Sequence, residues 1–357
     1  MKYGIWDLIR DQWTPQPAVL KADITDKTIL VTGANTGLGF EAAKHFASMN
    51  PGRLILACRN RAKGQVAVEN IQASTGFKLV ELWIVDLADF GSVRQFVDKF
   101  EQDGGRLDVF VANAGIGTAA YEATKDGWES SLQVNHLSTS LLALLLLPSM
   151  MQTAKEHGTT PRIVIVSTLM HYWVALDQGV LQSSQVIKTL GSAEYCTPEM
   201  MQFRYPVTKL LNLFFIRALN SRLSSSIVVN AVNPGHVLFF HGVHQESTSL
   251  YRYCYSEIRR DFTGLRASID HLMQFMLAFR TEVGSRQLVW AALADENEFA
   301  LRGEYISGSC VKEVSDFVLS PEGKKAEGLI WEDTLDILNK VDPRVSEIVM
   351  EFLSSKA

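Results

Sequence analysis

Cysteine is scarce in this chain and shows no pairing pattern. The four thiols, Cys58, Cys196, Cys254 and Cys310, lie far apart and form no CxxC pair. A disulfide frame is thereby excluded, and the thiols read as reduced, in a cytosol-like compartment. An excess of positive charge is missing too. The formal net charge is −5 and no block of Lys or Arg occurs, which argues against a nucleic-acid groove and predicts no nucleic-acid partner. Long hydrophobic runs are also absent. The greasiest stretch, Leu141 to Leu147, stops at Pro148, well short of the ~20 apolar residues that span a bilayer. It reads as a buried helix, and no integral membrane span is predicted. No cleavable signal is visible at the N-terminus, so the predicted location is cytoplasmic. Repeats and low-complexity linkers do not occur. With 47% hydrophobic residues among 357, the chain can bury a large core.

What is present is alternation. Short β-branched runs (Thr28–Val31, Leu54–Ala57, Leu79–Val85, Val109–Ala112, Ile163–Val166, Ile227–Val232) are separated by helix-like stretches such as Phe40–Met49, Arg61–Thr75, Ser92–Gln102 and Trp128–Met151. This order predicts βαβ crossovers and an α/β fold, a doubly wound parallel sheet with helices on both faces. A single domain over about 26–320 is expected, preceded by an arm (1–25) and followed by a helical extension (321–357). Two long connections, about 168–204 and 236–281, depart from the alternation and are expected to wall a substrate site at the carboxyl ends of the strands. In the arm, Ile5, Trp6, Leu8, Ile9 and Trp13 recur at near-helical spacing. They predict a short helix docked on the main domain. The other reading, reversible membrane contact, is weakened by Asp7, Arg10 and Asp11 and by the lack of a basic cluster.

The first run leads into Thr32-Gly33-Ala34-Asn35-Thr36-Gly37-Leu38-Gly39, with a helix directly after it. Gly33 permits a tight turn, Gly37 lets backbone approach a pyrophosphate, and Gly39 lets helix and strand close up. The helix N-terminus then offers free N–H groups to phosphate, through Asn35, Thr36 and Leu38 as well as the glycines. The second strand ends at Arg59. An acid there would hold a ribose 2′-hydroxyl, whereas an arginine suits a 2′-phosphate. Arg59, helped by Lys63, therefore favours NADP(H) over NAD as cofactor. Far downstream, Tyr205 and Lys209 stand four apart and share one helix face. An ammonium beside a phenol favours the phenolate, so the pair could trade protons near neutrality.

Taken in order, these motifs resemble a short-chain dehydrogenase/reductase, of a retinol-dehydrogenase-like or WW-domain-oxidoreductase-like, fungal-type branch. The TGxxxGxG spacing at Thr32–Gly39 is similar to the short-spaced members rather than to epimerases and dehydratases. Asp86-Leu87 resembles the adenine contact, Asn113-Ala114-Gly115 the NNAG turn, and Asn135 the catalytic asparagine. Pro234, Gly235 and Val237 resemble the turn that closes over the nicotinamide. The likeness covers about Asp26 to Gly308 and implies a Rossmann-like fold. It further implies an NADP(H)-dependent oxidoreductase interconverting a hydrophobic ketone or aldehyde and its alcohol in secondary-metabolite or lipid metabolism. The implied roles are Tyr205 as acid or base, Lys209 as the group holding its pKa down and contacting the nicotinamide ribose, and Asn135 as anchor of a relay water.

Two departures stand out. The family ends its fifth strand in Ser-Ser, but here the residues are Ser167-Thr168. Thr168 aligns with the catalytic hydroxyl, with Ser167 as the alternative; threonine keeps the donor and stiffens χ1. After Asn233-Pro234-Gly235-His236-Val237, the family's carboxamide-contacting threonine is replaced by Phe239, which puts cofactor affinity in question. His236, His241 and His244 lie close together, but no carboxylate or thiolate falls at ligand spacing, and no metal is expected. His171, Tyr172 and Trp173 read either as pocket lining or as a packed loop. Tyr251, Tyr253 and Tyr255 read either as a lid or as a surface strand. Cys58 reads as packing. A catalytically silent NADP-binding scaffold is the alternative function, although such chains typically lose the Tyr or the Lys. A homodimer is left open.

Overall fold

The computed structural model describes residues 2–223, 226–235, 237–238, 278–294 and 298–353. Six strands follow the predicted runs: β1 (Thr28–Thr32), β2 (Arg53–Cys58), β3 (Val80–Ile84), β4 (Val109–Ala112), β5 (Arg162–Val166) and β6 (Val228–Asn233). After them come a two-residue pair, β7 (Val237–Leu238) with β8 (Phe279–Arg280), then β9 (Tyr305–Ser307) and β10 (Val311–Lys312). The main sheet has the order β10-β9-β6-β5-β4-β1-β2-β3. Its pairs are parallel except the antiparallel edge of β10 on β9. β1 and β5 are buried along their whole lengths, as strands must be when helices cover both faces. Strand order reverses between β1 and β4, and in open α/β sheets the ligand crevice lies at that switch point.

One face of the sheet is covered by helices Gly37–Ala47, Arg61–Thr75 and Thr281–Leu293, which bury Phe46, Ile71 and Leu288. The other face carries Phe90–Gln102, Ser138–Leu145 and Arg204–Arg222, burying Phe96, Leu144 and Phe214. The helical stretch Ser130–His157 is long and apolar enough to cross a membrane, yet 78% of its most apolar window is buried inside the molecule. It is a core element. The predicted 168–204 connection folds into a 3-10 turn, Leu169–Trp173, and three short helices, Gln178–Leu181, Val186–Leu190 and Pro198–Met201. The C-terminal extension begins with helix Pro321–Val341, whose Trp331 stacks on Phe215 at 5.7 Å. It shares the core of the main fold.

The arm forms its helix, Ile5–Trp13, and it docks with Leu8 and Ile9 half-buried but Ile5, Trp6 and Trp13 exposed. Trp6 is 79% and Trp13 65% exposed, whereas Gln12 is buried. Polar and aromatic contacts join apolar packing in holding the arm: Tyr3 stacks on Tyr172 at 4.8 Å, Gln287 Nε2 donates to Gln16 Oε1 at 2.8 Å, and Val19, Leu20 and buried Ile24 pack with the core. Of the second predicted connection, His236 and residues 239–277 lie outside the described residues, taking with them Phe239, His241, His244 and the tyrosines at 251, 253 and 255.

Candidate active site

At the end of β1 the chain turns with Gly33 at φ +66° and Gly37 at φ +64°, a region that side-chain-bearing residues rarely enter. Gly39 serves a different end. A Cβ there would lie 2.5 Å from Asn113 Nδ2 and 2.7 Å from the Gly33 carbonyl oxygen. Asn113 thus presses on the loop, donating Nδ2 to the Thr32 and Gly33 carbonyls at 3.0 and 3.3 Å. Thr32 Oγ1 in turn accepts from the backbone N–H of Asn113 and Ala114. Asn113, expected as a cofactor contact, clamps the glycine turn on which the cofactor expectation rests. Thr32 is its partner, and sequence reasoning passed over it. Cys58 also does more than pack. Its buried sulfur accepts from the backbone N–H of Ala34 and Asn35, and burial pushes its pKa up to about 11. Helix Gly37–Ala47 begins at Thr36 with no side-chain cap, leaving its N-terminal N–H groups open to an anion.

Around that turn, Arg59 is exposed just beyond β2, and Lys63 is half-buried in the first turn of the next helix. Asn60, between them, caps that helix by accepting from Lys63 N at 2.9 Å. Asp86 and Leu87 follow β3. Asp86 Oδ1 accepts from Ala88 N, and the Leu87 carbonyl accepts from Ser138 Oγ.

The catalytic candidates converge from three places: one helix, a π turn and the end of β5. Tyr205 sits in the first turn of helix Arg204–Arg222, and Lys209 follows one turn later, its Nζ 5.7 Å from the Tyr205 ring centre. Lys209 is buried and donates to the Val166 carbonyl at the end of β5, at 2.7 Å. Asn135 lies in a five-residue π-helical turn, Gln133–Leu137, a distortion that often marks functional sites. Its Oδ1 accepts from Ile116 N at 2.8 Å, and its Nδ2 donates to the Ile116 carbonyl and to Thr208 Oγ1. Gly115 lies between them, since a Cβ there would stand 3.2 Å from both Asn135 Oδ1 and Lys209 Nζ. Neither the π turn nor Thr208 announced itself in the sequence.

The two neighbouring hydroxyls part company. Successive side chains leave a strand on opposite sides. Ser167 is buried, its Oγ donating to the Lys209 carbonyl at 3.4 Å. Thr168 is half-exposed and caps the 3-10 turn, accepting from Met170 N at 3.3 Å. His171 closes the turn by donating Nδ1–H to the Thr168 carbonyl at 2.8 Å, and burial lowers its pKa to about 4. Opposite, Gly235 turns at φ +81°. A cavity of about 440 Å³ adjoins this turn, walled by Gln12, Leu169, Gly235 and Ser307 among others.

Comparison with known proteins decides the family. The family model for short chain dehydrogenases matches residues 27–172. A short chain dehydrogenase/reductase of Cryptosporiopsis sp. is 34% identical over 90% of this chain and 93% of its own length. The chain belongs to the short-chain dehydrogenase/reductase family. A short-chain dehydrogenase of Penicillium roqueforti is also similar, 33% identical over 92% of this chain and 82% of its own. Among solved structures, an uncharacterised protein from Mycobacterium paratuberculosis superposes with a TM-score of 0.59 at 26% identity, covering 89% of this chain and 98% of that one. As a member of this family the protein is an oxidoreductase.

Proposed function

We propose that this short-chain dehydrogenase/reductase is an NADPH-dependent ketoreductase of the cytoplasm, acting on a hydrophobic ketone or aldehyde, or on the corresponding alcohol in reverse. The observation that carries the reading is the pairing of Tyr205 with a buried Lys209 on one helix beside the ends of β5 and β6. The glycine turn fits a dinucleotide: its backbone takes positive φ at Gly33 and Gly37, and the helix end has no side-chain cap. Gly33, Gly37 and Gly39, with the N–H groups around Asn35, Thr36 and Leu38, would hold the pyrophosphate. Asp86 and Leu87 would contact the adenine, Ala114 and Gly115 the ribose side, and Pro234, Gly235 and Val237 the carboxamide. Arg59 is exposed and has no ion-pair partner among the described residues, which supports a 2′-phosphate and hence NADP(H).

When bound, the nicotinamide supplies or accepts the hydride. The chain's own groups handle the proton and the geometry. Thr168 keeps its hydroxyl hydrogen available, because the backbone uses it only as an acceptor, and would donate it to the substrate oxygen. Tyr205 would give its proton to that oxygen in reduction. The Lys209 ammonium favours the resulting phenolate by Coulomb attraction and so eases the transfer. Asn135, held by Ile116 and Thr208, would anchor the water that returns a proton through Lys209. The test is purified protein with NADPH against a panel of hydrophobic ketones, read as loss of reduced-nicotinamide absorbance. Turnover abolished by Tyr205→Phe supports the reading. NADPH binding without turnover of any ketone would favour a silent scaffold.

A further inference from the structure

Arg204, immediately before Tyr205, is one of the largest fully buried side chains in the molecule. Its Nε lies 3.3 Å from Oε2 of Glu129, which is itself fully buried. The guanidinium also reaches the preceding connection, Nη2 donating to the Leu190 carbonyl at 2.6 Å and to Cys196 Sγ at 2.8 Å. Glu129 has a second duty. It caps the helical segment that leads into the π turn, accepting from Ser131 N at 2.8 Å and Leu132 N at 2.9 Å, and it also takes the Thr118 hydroxyl at 3.2 Å. One buried ion pair therefore joins the start of the Tyr205 helix to the start of the segment bearing Asn135.

We propose that Arg204 and Glu129 are positioning residues, holding Tyr205 and Asn135 in a fixed mutual register without touching substrate or cofactor. The proposal rests on the catalytic reading above for the roles of those two. Two physical points support it. Helix Arg204–Arg222 begins without a side-chain cap, so its first turn, where Tyr205 sits, needs an anchor from elsewhere. A buried ion pair is also a poor source of net stability, since apolar residues of similar volume often do as well. What a planar, five-donor guanidinium offers instead is simultaneous fixed contacts to several segments.

The discriminating variant is Glu129→Gln/Arg204→Met, made in the full-length chain, because it removes both charges and leaves neither one stranded. Three quantities are read: the thermal midpoint, amide exchange by mass spectrometry, and the phenolate absorbance titration of Tyr205, taken as the difference from a Tyr205→Phe counterpart. The midpoint is expected within about 5 °C of the parent. Exchange should rise about tenfold in segments 129–137 and 204–212 and stay level elsewhere. The Tyr205 titration should shift towards the ordinary tyrosine value of about 10. Unchanged exchange and titration at an equal midpoint would overturn the proposal, as would uniformly faster exchange throughout, which marks a merely structural pair. Glu129→Gln alone, which keeps one capping oxygen but strands the Arg204 charge, should lower the midpoint further and carries the same expectations for exchange and titration if the double variant does not fold. If the parent shows no tyrosine titrating below the ordinary range, the catalytic reading fails, while the exchange pattern still decides whether the two segments are coupled.

Discussion

At the end of β1 the chain turns through glycines, clamped by the backbone, Thr32 and Asn113; at the end of β5 it turns through Ser167 and Thr168 into a 3-10 segment held by His171 and flanked by the arm. The first turn is specified locally. Positive φ at Gly33 and Gly37 belongs to the loop itself, and only the Asn113 side chain that closes on Gly39 comes from another segment. The second is specified from a distance. Val166 is tied to Lys209, Ser167 to the same helix, and Trp173 donates its indole N–H to the Tyr3 carbonyl at 2.8 Å, 170 residues away in sequence. A phosphate cradle needs backbone shape, which local sequence can encode. A proton-transfer site needs side chains from several elements held at fixed separations, which only packing can supply.

The contrast can be broken or sharpened by substitution. Tyr205→Phe removes the proposed proton donor and keeps the ring, so kcat should fall by roughly 10²–10⁴, while NADPH titrated by fluorescence binds as before. The cofactor turn would then be shown to work without the catalytic one. Thr168→Ala should cost on the order of 10²–10³ in kcat as a lost oxyanion donor. Ser167→Ala should instead lower the unfolding free energy by about 1 kcal/mol with little change in kcat; the reverse order in steady-state assays would exchange their roles.

The half that carries the proposed catalytic groups also leans on a titratable group. Asn212 donates Nδ2 to the Asn135 carbonyl, turning its Oδ1 towards His136 Nδ1 at 3.1 Å. That nitrogen therefore carries the proton, and Nε2 accepts from Thr334 Oγ1 of the C-terminal extension at 3.0 Å. Burial lowers the His136 pKa from 6.5 to about 4. The folded state thus resists protonation more than the unfolded chain does. The contribution is complete above pH ~6.5 and is lost as pH falls towards ~4, a total of about 3 kcal/mol. Denaturant midpoints across that window should fall more steeply for the parent than for His136→Asn. Arg59→Asp should shift the NADPH-to-NADH selectivity ratio by roughly 10–100-fold through loss of one charged contact. Unchanged selectivity would place the 2′-phosphate elsewhere.

Much of the framework was legible. The strand runs, the glycine turn and the Tyr205–Lys209 spacing are periodic or contiguous signals, and helix Arg61–Thr75 begins and ends where its pattern does. The arm was half legible: its spacing implied a helix, but Trp6 and Trp13 face outward while Gln12 is buried and Tyr3 stacks on Tyr172. Illegible were the π turn at Asn135, the Thr208 contact, the Thr32–Asn113 clamp and the Arg204–Glu129 pair. Each depends on atoms that meet only after the sheet has formed, across separations of 73 residues for Asn135 and Thr208 and 81 for Thr32 and Asn113.

The amino-acid order by itself determined a parallel sheet covered on both faces and a tight glycine turn after its first strand. Burial of continuous β-branched runs and the conformational freedom of glycine act over a few residues and need no distant partner. Only the tertiary structure decided which of two adjacent hydroxyls is left half-exposed and where Lys209 directs its ammonium. Those outcomes depend on desolvation and hydrogen-bond geometry among segments brought together by the core.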